Sequence, residues 1–144
     1  MSYLLGILDI RTGEVRYTNA GHPAPCVRRS GGALELLTAK HGPPVGSASG
    51  ARYGSGTVRL EKGDTLLLYT DGVTGMLNPS GTAFGSDALL RVVAYRPEAS
   101  PDELGAEILD ALDRFSGGRE QADDLALLIL RFDGYEEKGA SSDV

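Results

Sequence analysis

Tryptophan is absent from this sequence of 144 residues, and cysteine occurs once, at Cys26. One cysteine excludes an internal disulfide and any structural zinc site built on several thiolates, and it fits a reducing, cytoplasmic compartment. Cys26 itself reads as a small semi-buried side chain. Long apolar runs are also lacking: the longest, Leu125 to Leu130, falls far short of the ~20 residues that a membrane helix needs. The N-terminus has no basic stretch leading into an apolar one, so neither membrane spanning nor signal-directed secretion is expected. Positive charge is scarce, with 14 Lys and Arg against 20 Asp and Glu and a net charge of -6. Counterion release from a nucleic-acid backbone would not favour such a chain, so nucleic acid is not an expected partner.

What is abundant is glycine, 20 residues, with 7 prolines, placed as punctuation between short apolar stretches. Tyr3 to Ile10 and Val15 to Asn19 flank the turn Arg11-Thr12-Gly13-Glu14 and predict a hairpin. After the break Ala20-Gly21-His22-Pro23, strands are expected at Pro25 to Arg29 and Ala33 to Leu37, joined by Ser30-Gly31-Gly32. His41 to Gly50 is too rich in glycine and proline for a regular element. Tyr53 to Leu60 and Thr65 to Thr70 then bracket the turn Glu61-Lys62-Gly63-Asp64. The spacing implies antiparallel sheet.

Helical signals follow. Ser86 is positioned to cap a helix over Asp87 to Tyr95, and Ser100-Pro101-Asp102-Glu103 combines a capping box with proline at the first helical position. Leu104, Ile108, Leu112 and Phe115 recur down one face, and Ser116-Gly117-Gly118 suits a C-terminal cap. Leu125 to Leu130, continuously apolar, reads as a central strand covered on both faces. Strands, two helices and a last strand make an α+β fold. The folded part is expected over residues 1–132, with a polar, unstructured tail over 133–144.

Two acidic positions stand at ends of apolar strands. Asp71, followed by Gly72, terminates Leu66-Leu67-Leu68-Tyr69-Thr70, and Asp123-Asp124 opens the Leu125 strand. Carboxylates beside buried strands are costly unless paired or bound to a cation, and hard ions such as Mg²⁺ or Mn²⁺ take oxygen ligands. A shared metal would account for both positions. Equally, aspartate before glycine is a common turn pair, and aspartates often precede strands as solvated boundaries.

Four ordered motifs bear on that choice: Asn19-Ala20-Gly21-His22-Pro23, Gly42-Pro43-Pro44-Val45-Gly46, Leu60 to Asp64 leading to Tyr69-Thr70-Asp71-Gly72-Val73-Thr74, and Gln121-Ala122-Asp123-Asp124-Leu125. In order and spacing they resemble the PPM-type metal-dependent protein serine/threonine phosphatases, specifically the bacterial branch typified by stage II sporulation protein E and the sigma-factor regulatory phosphatases. The resemblance implies a four-layer αββα sandwich with two Mn²⁺ or Mg²⁺ ions in a cleft between the sheets. Asp71 and Asp123 would be metal ligands, with Gly72, Asp124, Asn19, Gly21 and His22 lining the cleft. A water would attack phosphorus in line while the ions neutralise phosphoryl charge, so Cys26 is not needed as a nucleophile. His22 reads as structural or substrate-facing, not as the general acid. His41 reads as a surface loop histidine.

The resemblance covers about residues 3 to 132 and only the C-terminal portion of such a domain. The upstream acidic-glycine motif that supplies a metal-bridging carboxylate has no counterpart in this sequence. Gly75 and Met76 stand in place of an acidic-small pair, Ala122 in place of an acidic residue and Ala126 in place of a threonine. Fewer ligands mean weaker cation binding. Two functions are therefore carried forward. One is a protein phosphatase fragment, weak or inactive alone, whose substrate would be a phosphorylated regulator such as an anti-sigma factor antagonist. The other is a non-catalytic partner-binding module on the same fold. An incomplete sheet would also leave an edge open to self-association.

Overall fold

The expected hairpin forms from β1 (Tyr3–Leu8) and β2 (Glu14–Ala20) in a computed structural model that describes residues 1–118 and 124–136. The two strands pair antiparallel, with Tyr3 opposite Ala20 and Leu8 opposite Val15. At their turn Gly13 takes φ +80°, and a Cβ there would lie 2.1 Å from the Leu60 carbonyl oxygen, so only glycine fits. The next strands are shorter than their apolar stretches: β3 (Cys26–Arg28), β4 (Leu34–Leu36), β5 (Gly56–Arg59) and β6 (Thr65–Tyr69). Helices α1 (Asp71–Thr74), α2 (Gly85–Tyr95) and α3 (Pro101–Ser116) precede β7 (Leu127–Arg131).

The strands form two sheets, ordered β1-β2-β5 and β4-β3-β6-β7, and every pairing within them is antiparallel. Val15, Tyr17 and Val58 of the first sheet share one buried cluster with Val27 of the second, and Leu66 and Leu130 pack against it. A second cluster joins Cys26, Leu67 and Tyr69 to Leu89 and Val93 of α2 and to Leu104, Ile108 and Leu112 of α3. The α+β character is as read. The helices thus lie on the second sheet, while Leu5 and Ile7 on the first remain 60% and 68% exposed.

Helix α3 matches its sequence signals. Ser100 accepts from the Glu103 amide, Glu103 accepts in return from the Ser100 amide, and Gly117 closes the helix in the left-handed conformation. The Ser100 amide, then Arg96, holds the Glu103 carboxyl down at about 2. Helix α2 starts differently: Phe84 is its N-cap and Ser86 lies inside the first turn. Phe84 decides the start, because its amide donates to Met76 O and its ring meets Phe115 edge-on at 5.2 Å.

Two further expectations need correction. Strand β7 is not central: it ends its sheet, and Leu128 is 58% exposed. Its apolar run has another cause, since Leu127 and Ile129 pack on the helix-side cluster while Leu130 packs between the sheets. Cys26 is fully buried, not semi-buried, at 1% exposure. Burial pushes its thiol up to about 11, with Arg28 pulling weakly the other way. Folded protein at pH 8 is accordingly expected to resist a thiol-reactive dye for hours and to react within minutes in 6 M guanidinium; rapid labelling of the folded chain would overturn this. Of the expected tail, residues 137–144 lie outside the described residues.

Candidate functional site

The site follows from one strand pairing. Strands β6 and β7 run antiparallel, with Tyr69 opposite Leu127, so the end of β6 meets the beginning of β7. The Thr70 amide donates to Ala126 O at 3.1 Å, extending that register by one residue. Its hydroxyl donates to Asp124 O at 2.9 Å and accepts from the Ala126 amide at 3.0 Å. Thr70 thereby clamps Asp71, the next residue, beside Asp124. A hydroxyl engaged both ways is a positioning group with no freedom to act as a nucleophile.

Asp71, Gly72, Asp124 and His22 line one shallow cleft of about 330 Å³, together with Ser2, Pro23 and Thr70. Both carboxylates are exposed, and neither pairs with a basic side chain among the described residues. The expected cost of carboxylates beside buried strands therefore does not arise; what the fold supplies is convergence of two acidic oxygen donors. Gly72 is buried and carries no side chain to block approach. Asp123 lies outside the described residues.

Asn19 and Gly21, expected to line the cleft, are not among its lining residues: Asn19 is buried and Gly21 is exposed outside it. Asn19 is fully buried at the end of β2, and its Oδ1 accepts from the His22 amide at 2.8 Å. Gly21 adopts φ +73°, and a Cβ there would come within 2.4 Å of Pro44 Cγ. The Lys40 ammonium donates to His22 O. Two buried polar atoms in this corner have no hydrogen-bond partner among the described residues, Asn19 Nδ2 and His22 Nδ1. The sequence reading missed Ser2 and Thr70. Nothing local marks Ser2, whereas Thr70 could have been found by extending the β6–β7 register one step.

The donor set suits a hard divalent cation in kind, since carboxylate oxygens are what Mg²⁺ and Mn²⁺ take. In number it is short: no group of three or more His, Cys, Asp or Glu able to hold a metal occurs among the described residues.

The family model for stage II sporulation protein E matches residues 1–133. The chain belongs to that family. The resemblance to PPM-type phosphatases carried by the four motifs holds. Among relatives, protein IcfG of Synechocystis is 29% identical over 128 residues, 87% of this chain and 19% of IcfG. Phosphoserine phosphatase RsbP of Bacillus subtilis is 27% identical over 123 residues, 85% of this chain and 28% of RsbP. The phosphatase domain of SpoIIE from Bacillus subtilis, solved after presoaking with Mn, superposes with a TM-score of 0.73 at 16% identity, covering 96% of this chain and 59% of that one. The chain thus spans less than two thirds of each, and the last likeness speaks to fold alone. No helix among the described residues is long and apolar enough to cross a membrane.

Proposed function

We propose that this stage II sporulation protein E family chain is part of a metal-dependent phosphatase domain acting on phosphoserine or phosphothreonine of a regulatory protein. The observation that carries the reading is the β6–β7 pairing that delivers Asp71 and Asp124 to one cleft, in a chain with this family's motifs. Asp71 and Asp123 would hold the cation, Mn²⁺ or Mg²⁺, with Asp124 and Gly72 beside it. A bound ion supplies Lewis acidity and charge neutralisation at phosphorus. The chain's own residues position and admit. Thr70 fixes the two strand ends, and Gly72 leaves room for a phosphoryl group, with His22 in the wall beside them. Cys26 plays no nucleophilic part, its thiol being buried and held protonated.

The name phosphoserine phosphatase borne by RsbP supports the substrate class, and a phosphorylated anti-sigma factor antagonist is the partner we infer. The single buried cysteine supports a reducing, cytoplasmic setting. The whole domain would be the αββα sandwich, in which a helical layer covers the exposed Leu5 and Ile7. Purified protein, both this chain and a longer one carrying the upstream acidic-glycine motif, tests the reading by Mn²⁺-dependent phosphate release from an aryl phosphate. The longer protein is expected to be active, this chain weak or silent, and Asp71→Asn or Asp123→Asn to lower release at least tenfold. Activity that survives both substitutions would remove the metal-site reading.

A specific observation favours self-association of this chain. Strands β1 and β7 are both sheet edges, and both line an apolar cavity of about 320 Å³ between the sheets, with Leu4, Leu8, Leu66, Leu128 and Leu130 in its wall. Strand β1 carries no charged residue that would discourage pairing with another chain. Sedimentation is expected to show a dimer or larger species that Leu128→Lys weakens; a monomer at all concentrations would sink the idea.

A further inference from the structure

His41, in the loop between β4 and β5, is not a free surface side chain. Its Nδ1 accepts from the Asn19 amide at 3.0 Å, its own amide donates to Asn19 O at 2.9 Å, and its carbonyl accepts from the Gly54 amide at 2.9 Å. The ring stands edge-on to Tyr17 at 5.1 Å. A Cβ on Gly56 would lie 2.9 Å from His41 Nε2, so glycine at 56 leaves just enough room for the ring. Next in the chain, Gly42 forms a parallel bridge with Ala20. Loop and strand end are therefore joined through main chain at Asn19 and Ala20, and the imidazole adds a bond to the Asn19 amide. Since the Asn19 amide is a donor, Nδ1 must present its lone pair and the proton of the neutral ring must sit on Nε2.

Asn19 passes the constraint on. It is completely buried, and its Oδ1 takes the amide of His22, the residue that enters the cleft wall with Asp71 and Asp124. We propose that His41 is a positioning residue for the cleft: Nδ1 fixes Asn19, and Asn19 fixes the main chain of His22 beside the two carboxylates. The sequence separation of 22 between His41 and Asn19, and the loop character of residues 38–55, hide this link from any local pattern. The structural part stands on the hydrogen bonds; the catalytic consequence rests on the phosphatase reading above.

The test compares the natural protein with His41→Ala and His41→Asn. The asparagine Oδ1 can occupy the place of Nδ1 and accept the same bond, so this variant asks whether the acceptor matters and not the ring. In ¹⁵N spectra of this chain, His41→Ala is expected to move the amide signals of both Asn19 and His22 and to speed exchange of the His22 amide at least tenfold. His41→Asn is expected to restore both signals. The proposal is overturned if the His22 signals stay in place in His41→Ala, or if His41→Asn fails to restore them. Should His41→Ala not fold, the comparison of His41→Asn with the natural chain decides alone: displaced His22 signals overturn the link, and retained ones support it. In the longer protein, Mn²⁺-dependent phosphate release from an aryl phosphate should fall at least tenfold in His41→Ala and return in His41→Asn. If the natural longer protein releases nothing, the phosphatase reading fails while the spectra still judge the positioning role.

Discussion

Replacing Arg28 by alanine is expected to cost about 4 kcal/mol of folding stability, because buried carbonyls lose a charged donor that nothing else replaces. Arg28 lies in the middle of the second sheet at 3% exposure, with no carboxylate paired to it among the described residues. Its Nη1 donates to Val93 O at 3.3 Å and Arg96 O at 3.1 Å, and its Nη2 to Ala99 O at 2.7 Å and Thr65 Oγ1 at 3.4 Å. The Val93 carbonyl has no helical partner, since the residue four positions on is Pro97, which has no N–H. The Glu103 amide, which could have served Ala99 O, is taken by the Ser100 hydroxyl. Arg28 thus caps α2 from the sheet and pins the α2–α3 junction, while the negative end of the helix dipole offsets its charge. Burial lowers its pKa from the usual arginine value, with Glu107 opposing, and the group stays protonated. A thermal melt of Arg28→Ala should fall by roughly 10–15 °C. Arg28→Lys, which keeps the charge but not the fork, should recover less than half of that. A loss below about 1 kcal/mol in the alanine variant would mean that water satisfies these carbonyls.

Nothing in Cys26-Val27-Arg28-Arg29 says which arginine turns inward, because strand alternation fixes opposite faces without naming them. Local chemistry was legible where it is local. The Ser100 capping box, the Gly117 cap and the β1–β2 hairpin each follow from residues a few positions apart. The four-residue α1 leaves too short a pattern to read. Strand β7 misled because an apolar residue lining an open cavity looks the same in sequence as one covered by a neighbouring strand. His41 misled because its partner is 22 residues away. The acidic site stood between these cases: strand ends and motif resemblance together suggested that Asp71 and the Asp123-Asp124 pair converge, and the β6–β7 register brings Asp124 to the cleft of Asp71, while Asp123 lies outside the described residues.

That register is held at its far end by Asp64, and Asp64→Asn is expected to cost about 3 kcal/mol at pH 7. The carboxylate is buried, and accepts from Arg29 Nη1 at 2.8 Å, the Ser30 amide at 2.9 Å and the Glu61 amide at 2.7 Å. Burial by itself would raise its pKa; the Arg29 hydrogen bond and the two amides outweigh that and hold it below the usual carboxylate value. A carboxyl whose folded pKa lies under its unfolded one, about 3.9, adds stability that is complete above the unfolded value and disappears as pH falls through the folded one. The gap between natural chain and Asp64→Asn should therefore be widest near neutrality and narrow below about pH 4, as urea midpoints at pH 7, 4 and 3 would show. A gap of constant size across that range would assign the effect to shape and not to charge. The consequence reaches the cleft, because the Phe132 amide donates to Asp64 O at 2.9 Å and the Gly63 amide to Phe132 O at 2.7 Å, anchoring the chain just past β7 to the start of β6. With Thr65 held opposite Arg131, Thr70 meets Ala126; a slip of one residue would turn every β7 side chain to the other face and part Asp71 from Asp124.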